Sequence, residues 1–335
     1  MACADAAVPA GAADPDGMVD ADARTDGSFT ADADAVVSSS VVVLPDTQFY
    51  TCAYPAIFNS QAQWVLDHHE SRQIELVLHT GDIVDMGLPS QWQTAAESLH
   101  RLDSVVPYLL TTGNHDMAGT RASLFGQYFR VADVATNTWE LTSRDPTRVD
   151  NSYAVITLNG QRWIFLGLEF SPRDAVVQWA SDVLAAHADL PAVLFTHAYL
   201  YSDGRRYDRS IQPMQPYHPD LYRYTPDEGM NDGEDLWRKL IEPHENVRLV
   251  LSGHVIPDGT AHSTATRKSG SQVHQVLANY QGCDACPCSQ AMGGGGYLRV
   301  LTFDQTGERI HVSTYSPYLK AALTEAENDF LLPLR

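Results

Sequence analysis

From residue 38 onward the chain alternates short apolar runs with polar-punctuated amphipathic segments. VSSSVVVLP (38–45) is a β-branched run of strand length that opens into Asp46-Thr47-Gln48. NSQAQWVLDHHESRQ (59–73) carries helix-compatible apolar spacing behind Asn59, a good cap, and predicts a helix. IELVLHT (74–80) reads as the next strand, PSQWQTAAESLHRLD (89–103) as a helix opening on proline, and VVPYLLTT (105–112) as a third strand. YAVITL (153–158) and RWIFLGL (162–168) flank Asn159-Gly160 and predict a hairpin, followed by a helix near 172–188. AVLFT (192–196), VRLVLSG (247–253), VHQVLANY (273–280), YLRVLTF (297–303) and RIHVSTY (309–315) are further strands. Strand, polar loop and helix in repeated succession predict an α/β fold. No repeat period is present.

Residues 1–38 break this pattern. They are rich in Ala, Asp and Gly, almost free of aromatics and without apolar periodicity, so they cannot bury enough surface to offset ordering entropy. The expected organisation is a disordered tail or tether over 1–38, one folded domain over 39–320 and a C-terminal extension over 321–335. Cys3 stands where a processed bacterial lipoprotein carries its lipidated cysteine, and a lipid anchor and an incidental tail cysteine both stay open. The Met-Ala start lacks the apolar stretch of an intact secretory signal.

Hydrophobic residues make up 44% and charged residues 19%, a globular balance. Twenty-two Lys and Arg against 42 Asp and Glu give a net charge of −20, which argues against nucleic-acid duplex as a partner, because backbone binding draws on clustered cations. An anionic substrate stays compatible, since a bound divalent cation reverses the local field. No run approaches the roughly 18 apolar residues of a membrane span. Any membrane association is expected only through an anchor at Cys3.

The chemistry concentrates where strands end. Five strand-like runs finish in Asp46/Gln48, Asp82, Asn114/His115, His197 and His254. An open α/β sheet places ligand groups at such ends, where side chains face a crevice. Carboxylate, amide oxygen and imidazole suit Zn, Mn or Fe, and an Asp can bridge two ions. His68, His69, His79 and His244 lack motif partners and read as structural.

In the order Asp46-Thr47-Gln48, Gly81-Asp82, Gly113-Asn114-His115-Asp116, His197 and Gly253-His254-Val255-Ile256, the sequence resembles the calcineurin-like metallophosphoesterase superfamily. The resemblance covers roughly residues 40–320 and rests most on Gly-Asn-His-Asp after an apolar strand. It implies an αββα sandwich, two mixed β-sheets flanked by helices, and a pair of divalent ions, Mn, Fe or Zn. Asp82, Asn114, His197 and His254 would form one site; Asp46, Gln48 and bridging Asp82 would form the other. Two departures weaken that other site: Gln48 replaces a histidine, and Ile256, which cannot ligate, replaces a second one. A Pro-Asp-Thr-Gln start looks like a bacterial subgroup of the superfamily. Asp258 could supply an oxygen in place of Ile256, although Asp-Gly more often marks a turn.

The resemblance implies metal-dependent hydrolysis of a phosphomonoester or phosphodiester, with His115 stabilising or protonating the leaving group and Asp116 orienting it. A hydrolase of another ester, and an exported metal-binding or ligand-binding protein with a degenerate site, are the rival readings. The expected partner is a small phosphorylated substrate.

Residues 199–230 form a long Tyr-, Pro- and Arg-rich insertion directly after His197. Read functionally it is a substrate rim in which Arg205, Arg206, Arg209 or Arg223 meets phosphate; read otherwise, those arginines pair with nearby Asp. Asn279, Tyr280 and Gln281 are candidates for lining the same cleft. Setting Cys3 aside, Cys52, Cys283, Cys286 and Cys288 remain. A disulfide from Cys52 to one of the other three would suit an exported, periplasmic or cell-surface bacterial protein, while free thiols and a Cys-rich metal clip are the alternatives.

Overall fold

A computed structural model describes residues 38–134, 141–256, 259–281 and 292–334. The tail with Cys3, the candidate Asp258, and Cys283, Cys286 and Cys288 lie outside these described residues.

The first half winds as strand and helix in turn: β1 (Ser40–Leu44), α1 (Gln48–Ala53), α2 (Pro55–His68), β2 (Ile74–His79), α3 (Pro89–Leu99) and β3 (Tyr108–Leu110). β1, β2 and β3 pair in parallel, which requires the intervening helices as crossovers. Helix α2 begins at Pro55 instead of at the expected Asn59. Pro55 stands at the first helical turn, where its missing N–H costs nothing. Two short helices, α4 (Phe125–Tyr128) and α5 (Val131–Val134), lead to β4 (Leu141–Ser143). The Asn159-Gly160 hairpin joins β5 (Ser152–Leu158) and β6 (Gln161–Leu168), and both turn residues take positive φ.

Helix α6 (Asp174–Ala186), β7 (Ala192–Thr196), α7 (Gly233–Leu236) and β8 (Val247–Ser252) follow. The chain closes with β9 (Gly259–Thr266), β10 (Gln272–Asn279), β11 (Leu298–Phe303), β12 (Arg309–Ser316), β13 (Ala321–Leu323) and β14 (Phe330–Pro333). Among the described residues these strands form two mixed seven-stranded sheets. One runs β13-β12-β11-β1-β2-β3 with β14 also on β12; the other runs β4-β5-β6-β7-β8-β10-β9.

Side-chain alternation explains the layering. In β7, Val193 and Phe195 join the large core that also holds Val41, Leu76 and Leu109 of the first sheet, while Ala192 and Leu194 face a second core with Val176, Ala180 and Leu184 of α6. β6 divides likewise, Trp163 and Phe165 to one side and Ile164 and Leu166 to the other. Fully burying such a side chain contributes roughly 1.5–3 kcal/mol, so both faces of this sheet are covered. No helix among the described residues is long and apolar enough to cross a membrane.

The expected extension over 321–335 is not an appendage. β13 and β14 both pair with β12, Leu332 enters the main core opposite Ile310, and Phe330 stacks on His262 of the other sheet at 4.2 Å. The segment therefore buries apolar surface against both sheets and belongs to the domain.

Candidate metal centre

The two sheets bring the ends of β1, β2 and β3 against the ends of β7 and β8. Asp46, Asp82 and Asn114 follow the first three strands, and His197 and His254 follow the other two. Tight backbone makes this convergence possible. Asp82 has φ 52° and His254 φ 79°, left-handed conformations that cost of order 1–3 kcal/mol each and persist only when their surroundings hold them. The His115 amide donates to Asp82 Oδ1 at 2.9 Å, and the His254 amide donates to the Asp46 carboxylate at 3.3 Å. Gly113 and Gly253 are required by close approach, since a Cβ on either would collide with the carboxylate of Asp82 or of Asp46 respectively.

Asp82, His197 and His254 each offer one ligand atom, all within 4.8 Å of one another and all buried. His197 Nε2 lies 3.2 Å from Asp82 Oδ2 and 3.1 Å from His254 Nδ1. The far nitrogens are held by main-chain carbonyls: His197 Nδ1 donates to Thr80 at 2.9 Å, and His254 Nε2 donates to Tyr217 at 2.8 Å. Those bonds turn Nε2 of His197 and Nδ1 of His254 inward as ligand atoms.

The buried groups shift one another's protonation. Burial pushes Asp46 up to about 7, aided by Asp82 and opposed by His197. Burial also acts to raise Asp82, but His197 and His115 outweigh it and hold that carboxyl below the usual range. Burial and the neighbouring His197 push His254 down to about 3. His197 itself is pushed up to about 9, because Asp82 and Asp46 outweigh its burial. A proton on His197 thus offsets charge where a divalent ion could do so.

The donor set fits such an ion. Asn114 Oδ1 and Gln48 Oε1 are buried without a hydrogen-bond partner, and an unmet buried acceptor costs roughly 1–3 kcal/mol. A cation beside Asp82 would satisfy oxygens of this kind.

His115 lies at the rim with its side chain 39% exposed. Its Nδ1 sits 2.7 Å from the Asp85 carbonyl oxygen and 3.3 Å from that residue's carboxylate. Burial opposes the charge, yet Asp82 and Asp85 push His115 up to about 10. Here the expectation for Asp116 is corrected. Its carboxylate accepts the amides of Gly113 at 2.8 Å and Val84 at 2.9 Å, bracing the two loops, and Asp85 orients the imidazole instead. Asp85 was visible in Gly-Asp-Ile-Val-Asp, but nothing in that spacing said which Asp faces the ring.

The insertion meets the site through backbone and aromatic groups. Besides the Tyr217 carbonyl, Tyr224 Oη donates to the Asn114 carbonyl at 3.0 Å, and the ring of Tyr222 lies 5.7 Å from that of His254, as does that of Phe170, after β6, at 5.5 Å. Three of its four arginines are engaged by acids: Arg205 by Asp203, Arg206 by Glu234, and Arg209 by Asp220, Asp232 and Asp235. Tyr280 Oη is bonded to Thr314, Asn328 and Arg299, among strands of the first sheet, while its neighbour Asn279 donates to Asp46 at 2.8 Å. Cys52 is disulfide-bonded, and its partner is outside the described residues.

Comparison with known proteins adds a family. A model of calcineurin-like phosphoesterases matches residues 39–258. The Bacillus subtilis (strain 168) protein YvnB is 34% identical over 297 residues, covering 83% of this chain; the chain spans only 20% of that relative's length. Among solved structures, a 5'-nucleotidase precursor from Thermus thermophilus is similar at 16% identity and TM-score 0.44, covering 89% of this chain and 54% of the other. GAP50, the anchor in the inner membrane complex of Plasmodium, is similar at 12% identity and TM-score 0.48, with 90% of each chain covered.

Proposed function

The chain belongs to the calcineurin-like phosphoesterase family, and we propose that it hydrolyses a small phosphomonoester or phosphodiester with divalent metal. The observation that carries this reading is the buried cluster of Asp82, His197 and His254, with the buried, unpartnered Asn114 Oδ1 on the loop whose His115 amide binds Asp82. Asp82, Asn114, His197 and His254 would hold one ion, with Asp46 and Gln48 beside Asp82 for a second, drawn from Mn, Fe or Zn. An ion held there supplies Lewis-acid polarisation of a phosphoryl oxygen and a water acidic enough to deprotonate near neutral pH.

The chain's own residues do the rest. The Thr80 and Tyr217 carbonyls fix the ligand tautomers of the two histidines. His115, cationic through Asp82 and Asp85 and exposed at the rim, offers Nε2–H to the leaving oxygen, and Asp85 keeps the ring in that orientation. Tyr217, Tyr222 and Tyr224 would flank the organic part of the ester. The disulfide at Cys52 fits an oxidising, exported location.

The test is to purify the chain without chelator, measure bound metals, and assay aryl phosphomonoesters and phosphodiesters with and without added Mn. Metal-dependent turnover is expected. Absence of turnover against both substrate classes with metal bound sinks the reading.

A further inference from the structure

The weak point of the metal centre is the position that Ile256 vacates. Strand pairing indicates what replaces it. β10 runs parallel to β8 with Leu277 beside Ser252. Just past these strand ends the ladder stops, His254 taking φ 79°, and the His254 amide and the Asn279 side chain both converge on the Asp46 carboxylate. Asn279 is anchored there: Nδ2 donates to Asp46 Oδ2 at 2.8 Å, and Oδ1 accepts the Gln281 amide at 2.9 Å. Gln281 is thus tied through one side chain to the Asp46 carboxylate. It is 5% exposed, and its Oε1 is buried without a hydrogen-bond partner, the same condition as Gln48 Oε1 two residues after Asp46. Two buried carboxamide oxygens lacking donors, each linked to Asp46 by a few bonds, form a set that calls for a cation.

We propose that Gln281 supplies through Oε1 the ligand that Ile256 cannot. The first position then becomes an all-oxygen site of Asp46, Gln48, Gln281 and bridging Asp82. Carboxylate and carboxamide oxygens without imidazole select hard divalent ions, Mg, Mn or Ca, whereas His197 and His254 give the neighbouring position its affinity for Zn or Fe. The two positions therefore differ in chemistry, and the centre takes unlike ions. This inference rests on the metal-centre reading of the site, not on the identity of the ester.

Binding measurements on the full chain test it directly. The protein, stripped and then titrated with Mn followed by Mg, Ca or Zn, is expected to bind two Mn ions, of which Mg or Ca displaces one and Zn the other. Gln281→Leu should bind the Mg-displaceable ion at least tenfold more weakly and leave the other ion unchanged. Gln281→Asn, which withdraws the carboxamide by one methylene, should weaken the same ion and guards against misfolding of the leucine variant. Gln281→His should retain two ions and shift the first position toward Zn. Unchanged affinity for both ions in the leucine and asparagine variants would overturn the proposal, as would a single bound ion in the parent chain at millimolar Mn. Two-ion binding that depends on Gln281 without any phosphoester turnover would support this assignment and remove the proposed activity.

Discussion

His115 Nδ1 is held by Asp85, 2.7 Å from its carbonyl oxygen and 3.3 Å from its carboxylate, and not by the Asp116 that follows it in the chain. Together with Asp82, this contact pushes the imidazole pKa up to about 10 against its burial, and its side chain is 39% exposed. Replacing Asp85 with Asn removes the charge and leaves the carbonyl. The His115 pKa, pushed up to about 10, should fall, so a proton-donating His115 is lost at lower pH. The expected result is a 10- to 100-fold loss of kcat near neutral pH, an alkaline limb displaced to lower pH, and unchanged metal content. Superimposable pH profiles for parent and variant would remove Asp85 from the mechanism.

Tyr224 tests the bond between the insertion and a ligand. Its phenol donates to the Asn114 carbonyl at 3.0 Å and to the Met117 carbonyl at 3.3 Å. Tyr224→Phe keeps the ring against Phe170 and deletes both bonds. About tenfold weaker metal binding is expected, with a stability loss of about 1 kcal/mol in urea unfolding. Equal metal affinity would show that Asn114 is positioned without the insertion.

Gly113→Ala places a methyl group into the Asp82 carboxylate and its amide, atoms that cannot retreat because Asp82 is itself bound by the His115 amide. Loss of metal binding and a destabilisation of roughly 2 kcal/mol or more are expected. Calorimetric titration and thermal melting of the variant would measure both. A variant that binds metal like the parent would mean that the loop is more yielding than its contacts indicate.

The legible part of the molecule is the part whose side chains must alternate or terminate an apolar run. β1, β2, β7 and β8 are buried runs that stop at Asp46, Asp82, His197 and His254, so strand and candidate ligand are visible together. β9, reading GTAHSTAT, is an edge strand with one wet face and carries no apolar signal, and β13 and β14 are too short to show a period. At the site, residue type identifies side-chain ligands but not backbone partners. The Tyr217 carbonyl that fixes His254 belongs to a group every residue has, and only the fold selects it. The choice between Asp85 and Asp116 failed for a related reason: adjacency along a tight turn sends neighbouring side chains in different directions.

Glu169 provides a stability test away from the metals. Burial would raise its carboxyl, but bonds from Arg173 and the charge of Arg121 hold it below the usual range. A depressed carboxylate stabilises the fold above its unfolded pKa of about 4.3 and loses that contribution as pH falls through the folded value. Glu169→Gln should therefore cost about 3 kcal/mol near pH 7, with the gap narrowing below about pH 4. A gap independent of pH in denaturant unfolding would assign the effect to hydrogen bonding instead of charge.

Chelation should expose the opposite pH dependence. Without a cation, burial and Asp82 push Asp46 up to about 7, and Asp82 and Asp46 push His197 up to about 9 against its burial. Both groups then bind protons more tightly folded than unfolded, so their combined contribution favours the fold at low pH and declines as pH rises through those values. A bound divalent ion replaces the protons and removes that decline, and at a hundredfold excess over Kd it adds about 2.7 kcal/mol. Melting with Mn and with chelator should therefore separate most at pH 8 and converge toward pH 5, where protonation of the same groups also weakens metal binding. Melting curves with a separation constant from pH 5 to 8 would show that Asp46 and His197 do not face the bound ion.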